Sequence, residues 1–220
     1  MELFKYTNIG SREVNQDYIV SESFGNDLIL HLVADGIGGY ECGEIASKVV
    51  GDSFIYGISR FLTLEETASI ASVNLQKERN NLGIPKMGST LAGVLFNKMD
   101  AKIFWSGDSR VYLFRNKEVI YQTEDHSIVN ELSKIRELTF DERKRYAHVI
   151  TRSFMGNDDD RLDIHEVTLQ AGDELLICTD GLYKDCPIDY LMESIRTGLF
   201  DIDKQNDTFD DNHSLIYIKV

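Results

Sequence analysis

The chain has 220 residues, 42% of them hydrophobic, enough to bury one sizeable core. Its 37 acidic residues outnumber 23 basic ones for a net charge of -14, which argues against nucleic acid or an anionic membrane as the main partner. No stretch nears the roughly 20 apolar residues of a membrane span, and the first residues lack a signal peptide's apolar region, so a soluble cytoplasmic protein is expected. Cys42, Cys178 and Cys186 are an odd number without CxxC spacing, which reads as reduced, buried thiols rather than a disulfide framework or zinc site.

Residues 1–20 open with a polar and aromatic lead, in which Arg12, Asn15 and Asp17 precede the β-prone Tyr18-Ile19-Val20. Turn residues at 24–27 then lead into an apolar run, 28–34, so a hairpin is expected that brings Arg12 and Asp17 near Asp35. Asp35 ends that run, and four of the next eight residues are glycine. A carboxylate at the end of a core strand is costly to desolvate, and it calls for a basic side chain or a metal ion.

Apolar residues at Ile45, Val49, Phe54 and Ile58 predict a helix over 44–60 despite Gly51 and Gly57. Thr63-Leu64-Glu65-Glu66 is a capping box that opens a second helix to about Leu82, closed by Gly83 and Pro85. Short apolar runs at 91–96, 103–105, 111–114 and 119–121 read as a four-stranded antiparallel meander, broken by Gly107-Asp108-Ser109. Asp125 or Ser127 caps an expected helix over 128–137, and 140–146 reads as a short surface helix. The segment 156–163, with three consecutive aspartates, reads as a solvated polar loop rather than a metal site.

The run 174–179 ends in Asp180-Gly181 and so repeats the design at Asp35-Gly36. A helix is expected over 188–196, then an acidic polar stretch, 201–212, and a final strand over 215–220. That polar stretch is not a calcium loop, since Asn206 stands where glycine is needed and Asn212 where the bidentate glutamate belongs. Without repeats or low-complexity linkers the chain reads as one unit, and helices in blocks between hairpin strands predict an α+β fold with largely antiparallel sheet.

Asp35, Asp108, Asp180 and Asp211 each stand near a strand end, three of them beside glycine. If folding brings them together, their repulsion raises their pKa values or demands cations, and hard oxygen donors suit Mg²⁺ or Mn²⁺. Two such ions can activate water and clamp a phosphoryl oxygen during in-line attack.

Eight motifs now fall in one order: R-x-x-N-Q-D at Arg12 to Asp17, ADGIGG from Ala34, GST from Gly88, GDSR from Gly107, EDHS from Glu124, ITR from Ile150, TDGL from Thr179, and Asp211-Asn212. In this the chain resembles the metal-dependent protein phosphatases of the protein phosphatase 2C type, closest to the bacterial single-domain branch. The resemblance implies a four-layer αββα sandwich of two antiparallel sheets flanked by helices, over one catalytic domain, 1–220, with a compact flap around 127–150. It also implies two Mn²⁺ or Mg²⁺ ions, with Asp35 bridging both, the Gly36 carbonyl on one, and Asp180 and Asp211 completing the other. Asp108 matches the acid that holds a third, weaker ion together with Asp180. Asp17 would act through a water, and Arg12 matches the arginine that grips substrate phosphate.

The activity implied is hydrolysis of phosphoserine or phosphothreonine in proteins by a metal-bridging hydroxide, without a phosphoenzyme. The implied protein is a monomer whose substrates come from a serine/threonine kinase. Gln16 stands where many relatives have glutamate, and Ile37 replaces the histidine of eukaryotic members. The competing class is a catalytically silent relative that binds phosphorylated partners, against which the four aspartates and Arg12 argue. A nucleotide-binding loop at residues 35–39 is excluded, because it has neither dinucleotide-fingerprint spacing nor the Lys-Ser/Thr of a P-loop.

Overall fold

The computed structural model describes residues 2–25, 27–37, 42–200 and 209–220. Among the described residues ten strands form two five-stranded sheets with every pairing antiparallel. The first sheet runs β1 (Glu2–Asn8), β10 (His213–Lys219), β9 (Glu174–Cys178), β6 (Arg110–Arg115), β7 (Glu118–Gln122). The second runs β2 (Asp17–Ser23), β3 (Leu28–Asp35), β4 (Leu91–Asn97), β5 (Asp100–Ser106), β8 (Asp163–Thr168).

Side chains alternate across each strand and so divide the core into three slabs. In β3, Leu30, Leu32 and Ala34 face the helices α1 (Gly43–Ser59) and α2 (Leu64–Leu82), where Phe54 stacks on Phe104 with centroids 5.4 Å apart. Val33 lies between the two sheets with Ile103, Val111, Ile177 and Ile216. Leu176 and Leu215 point out of the first sheet towards Leu182 of α5 (Asp180–Tyr183) and Leu191 and Met192 of α6 (Ile188–Arg196). The result is the expected order of layers, helix, sheet, sheet, helix, in the α+β class. No helix among the described residues is long and apolar enough to cross a membrane.

The expected hairpin at Asp35 forms, and the capping box opens α2 through reciprocal Thr63 and Glu66 hydrogen bonds. The meander is corrected: β4–β5 and β6–β7 are two hairpins in different sheets. The chain changes sheet at Gly107, whose φ of +118° a side chain would resist. The polar lead is itself edge strand β1, paired with β10 from Glu2 opposite Lys219 to Asn8 opposite His213. Strand β8 was likewise unforeseen; its buried-to-exposed alternation is weak because it lies at a sheet edge.

Helix α3 (Ile128–Ser133) stops short of the expected 137, and α4 is Phe140–Tyr146. Both belong to the segment 127–150, whose ends meet in a Ser127–Ile150 bridge. The aspartate loop is not simply solvated: Asp160 Oδ2 accepts from the backbone N–H groups of Met155, Gly156 and Asn157 and from the Ser72 hydroxyl. Cys178 and Cys186 are buried and free as expected, whereas Cys42 is only half-buried. Gly38 and Gly39, and residues 201–208 of the acidic stretch, lie outside the described residues.

Candidate active site

The strand ends of both sheets meet at one rim. From the second sheet comes Asp35, with Asp17 as its register partner on β2. The Asp35 carbonyl accepts from the Thr90 N–H (2.8 Å) and the Ser89 hydroxyl (3.0 Å), and the Gly36 N–H donates to the Gln16 carbonyl (3.0 Å). These bonds fix the backbone that carries the carboxylate.

The first sheet supplies Asp180, at the start of α5 behind β9, and Asp211, just before β10. Gly181 allows their approach, since a Cβ there would lie 2.1 Å from the Asn212 carbonyl oxygen. Asp108 sits at the turn between the sheets, 7% exposed, and its carbonyl accepts from the Tyr183 hydroxyl at 2.9 Å.

Asp35, Asp108, Asp180 and Asp211 together line one cavity of 350 Å³, with Arg12, Gly36 and Lys184. His148 and Ile150 line it from the 127–150 side. Arg12 reaches Asp211 at 2.9 Å, and it is half-exposed. Asp17 lies beside Asp35 on the adjacent strand: its Oδ2 accepts from the Thr179 hydroxyl at 2.9 Å, and its Oδ1 is buried without a partner.

Burial and mutual repulsion dominate the electrostatics. Desolvation, then Asp17, Asp180, Asp108 and Asp211, hold the Asp35 carboxyl well above the usual carboxylate range. Burial pushes Asp17 up to about 7 against the hydrogen bond from the Thr179 hydroxyl, with Asp180 and Asp211 adding to the rise. Burial and then Asp180 push Asp108 up to about 7, with Lys184 opposing. Burial acts to lower the Lys184 pKa, but Asp180 and Asp108 outweigh it and the ammonium is held charged.

Among the described residues no three acidic, histidine or cysteine side chains form a ready ion cage. Lys184 instead bonds Asp180 Oδ2 and stands 3.8 Å from Asp108 Oδ2, while Arg12 holds Asp211. The donor set still suits hard divalent cations: it is made of carboxylate oxygens, and neither Arg12 nor Lys184 forms an ion pair with Asp35 at its centre.

The sequence passes over Lys184 and, although Asn212 belongs to the last motif, gives it no role. Lys184 lies four positions after Asp180 on the same helical turn, a spacing that places the two side chains together. Asn212 is 4% exposed, and its side chain accepts from the Gln16 N–H (2.8 Å) and donates to the Ile9 (2.8 Å) and Val14 (3.1 Å) carbonyls, tying down the loop that carries Arg12.

The family model described as Protein phosphatase 2C matches residues 6–211. Among curated relatives, protein phosphatase PhpP of Streptococcus pneumoniae is 32% identical, covering 83% of this chain and 79% of its own. The serine/threonine phosphatase stp of Listeria welshimeri is 30% identical over 81% of this chain and 75% of its own. In fold, the chain resembles the Mycobacterium tuberculosis phosphatase PstP/Ppp (TM-score 0.82, 22% identity, covering 100% of this chain and 98% of that one). It also resembles a PstP catalytic domain crystallised with two manganese ions (TM-score 0.81, 24% identity, covering 98% and 96%). Strand-end acids gathered from two antiparallel sheets, and a family match over nearly all of the sequence, make this chain a member of the protein phosphatase 2C family.

Proposed function

We propose that this protein phosphatase hydrolyses phosphoserine and phosphothreonine in phosphorylated proteins, in a cavity built to hold two Mn²⁺ or Mg²⁺ ions. The observation that carries the reading is the convergence of Asp35, Asp180 and Asp211, from two different sheets, on one cavity that Arg12 also lines. Asp35, the Gly36 carbonyl, Asp180 and Asp211, which line the cavity together, would hold the two ions, with Asp35 shared between them. Asp108 stands across from Asp180, where the resemblance implies a third, weaker ion. When bound, the ions supply a hydroxide nucleophile from water and offset the phosphoryl charge.

The chain's own residues do the rest. The Arg12 guanidinium presents a planar fork of donors suited to two phosphoryl oxygens, and from the loop held by Asn212 it can exchange Asp211 for substrate. Asp17, beside Asp35 on the adjacent strand, orients what binds there through its unpartnered oxygen.

Residues 1–220 act as one catalytic domain, with 127–150 as a compact flap over the cavity. The protein works as a cytoplasmic monomer opposing a serine/threonine kinase. The test is release of phosphate from phosphoserine and phosphothreonine peptides, with Mn²⁺, with Mg²⁺ and with chelator. Turnover only with a divalent ion is expected, and no turnover with either ion would overturn the reading.

A further inference from the structure

The two cationic side chains in the cavity are held differently. Arg12 lies on a loop, with 52% of its side chain exposed, and meets one acid. Lys184 is 32% exposed and reaches two acids at once, Oδ2 of Asp180 and Oδ2 of Asp108.

Its base is also fixed. The Lys184 N–H donates to the Asp180 carbonyl (3.1 Å), and the neighbouring Tyr183 hydroxyl donates to the Asp108 carbonyl (2.9 Å). The Arg110 guanidinium lies 3.6 Å from the centre of the Tyr183 ring and makes two 2.7 Å bonds to Asp125, packing the helical turn against the Asp108 turn. The ammonium is thus delivered between Asp108 and Asp180 by backbone and ring contacts, not by a free side chain on the surface. Asp35, by contrast, forms no ion pair with either cation.

From this arrangement, and resting on the two-ion reading above, we infer that Lys184 is a built-in cation that occupies the space between Asp108 and Asp180 and limits the site to two divalent ions. Lys184 meets Oδ2 of Asp180, which leaves Oδ1 for an ion shared with Asp211. A further divalent ion beside Asp108 would have to displace an ammonium paired with both of its carboxylates, against the repulsion of like charges. The lysine also brings one positive charge to the cavity at any metal concentration, so the enzyme needs no third ion at that position.

The experiment counts bound Mn²⁺ by equilibrium dialysis and by loss of the free-ion electron paramagnetic resonance signal, on the whole chain and on three variants. The unaltered protein is expected to saturate at two ions. Lys184→Ala and the similarly sized Lys184→Gln are expected to take up a third, at least ten-fold weaker than the second, while Lys184→Arg stays at two. Thermal melts identify a variant that fails to fold, and the other neutral substitution then carries the count. Three ions on the unaltered protein, or two on a folded neutral variant, would overturn the role of Lys184 and leave the two-ion reading standing. Fewer than two ions on the unaltered protein would overturn that reading, and the inference with it.

Discussion

Asp17 and Asp35 are register partners on adjacent antiparallel strands, two carboxylates side by side with one oxygen of Asp17 buried and unpartnered. Like charges directly opposite destabilise a strand pair. Metal-free folding is therefore opposed at the place where the proposed chemistry needs negative charge.

Asp35→Asn separates the two effects. Turnover with Mn²⁺ should fall by at least about a hundred-fold, the scale of losing a principal electrostatic group. In chelator the variant should melt about 2–4 °C higher, as expected for relief of about 1 kcal/mol in a chain of this size. Steady-state kinetics and thermal melts check both, and retained activity would refute the role given to Asp35.

The same acids predict a pH dependence. Asp17 and Asp108 have folded-state pKa values raised to about 7 from an ordinary value near 4. Between those limits the folded chain binds more protons than the unfolded one, so these groups make stability fall as pH rises from about 4 to 7. Melts in chelator at pH 5, 6 and 7 should show their contribution as a declining melting temperature, and saturating Mn²⁺ should flatten the slope by favouring the ionised form. A slope unaltered by Mn²⁺ would count against ions binding at these carboxylates.

Arg12→Ala should raise KM for a phosphopeptide roughly ten- to a hundred-fold, the range for losing a charge-assisted hydrogen bond pair of about 1.5–3 kcal/mol. Arg12→Lys keeps the charge without the fork and should recover only part of that loss. An unchanged KM in the alanine variant would remove Arg12 from the phosphate site.

Asn212→Ala strips partners from the Gln16 N–H and from the Ile9 and Val14 carbonyls. Loss of that group should cost roughly 2–3 kcal/mol, or about 5–10 °C. KM should rise as well, because the loop bearing Arg12 loosens. Denaturant titration with an unchanged slope, together with phosphopeptide kinetics, checks the two parts.

Much of the site was legible because its acids announce themselves: an apolar run, then Asp-Gly, occurs at both Asp35 and Asp180, and strand ends are where such runs stop. The hairpin that pairs Asp17 with Asp35 followed from turn residues between two β-prone runs. Strand β1 was not legible, since an edge strand with half-exposed residues carries little apolar signal. The change of sheet at Gly107 was hidden for a different reason. Local pattern marks the break between β5 and β6, but which sheet each strand joins is decided by long-range pairing, β5 with β8 and β6 with β9. Lys184, and the role of Asn212 within its motif, were not legible because a lysine on a helical turn and an asparagine before a strand are ordinary until their neighbours from distant segments are in place.

Asp35 leaves one β-layer, and Asp180 and Asp211 leave the other, so any sliding of the layers past each other alters the gaps between ligands. Cations that join these acids would act as a clasp across the seam of the sandwich. Shear stiffness between the layers and metal affinity would then be two readings of one equilibrium, and a substitution buried deep between the sheets could weaken ion binding without touching a single ligand.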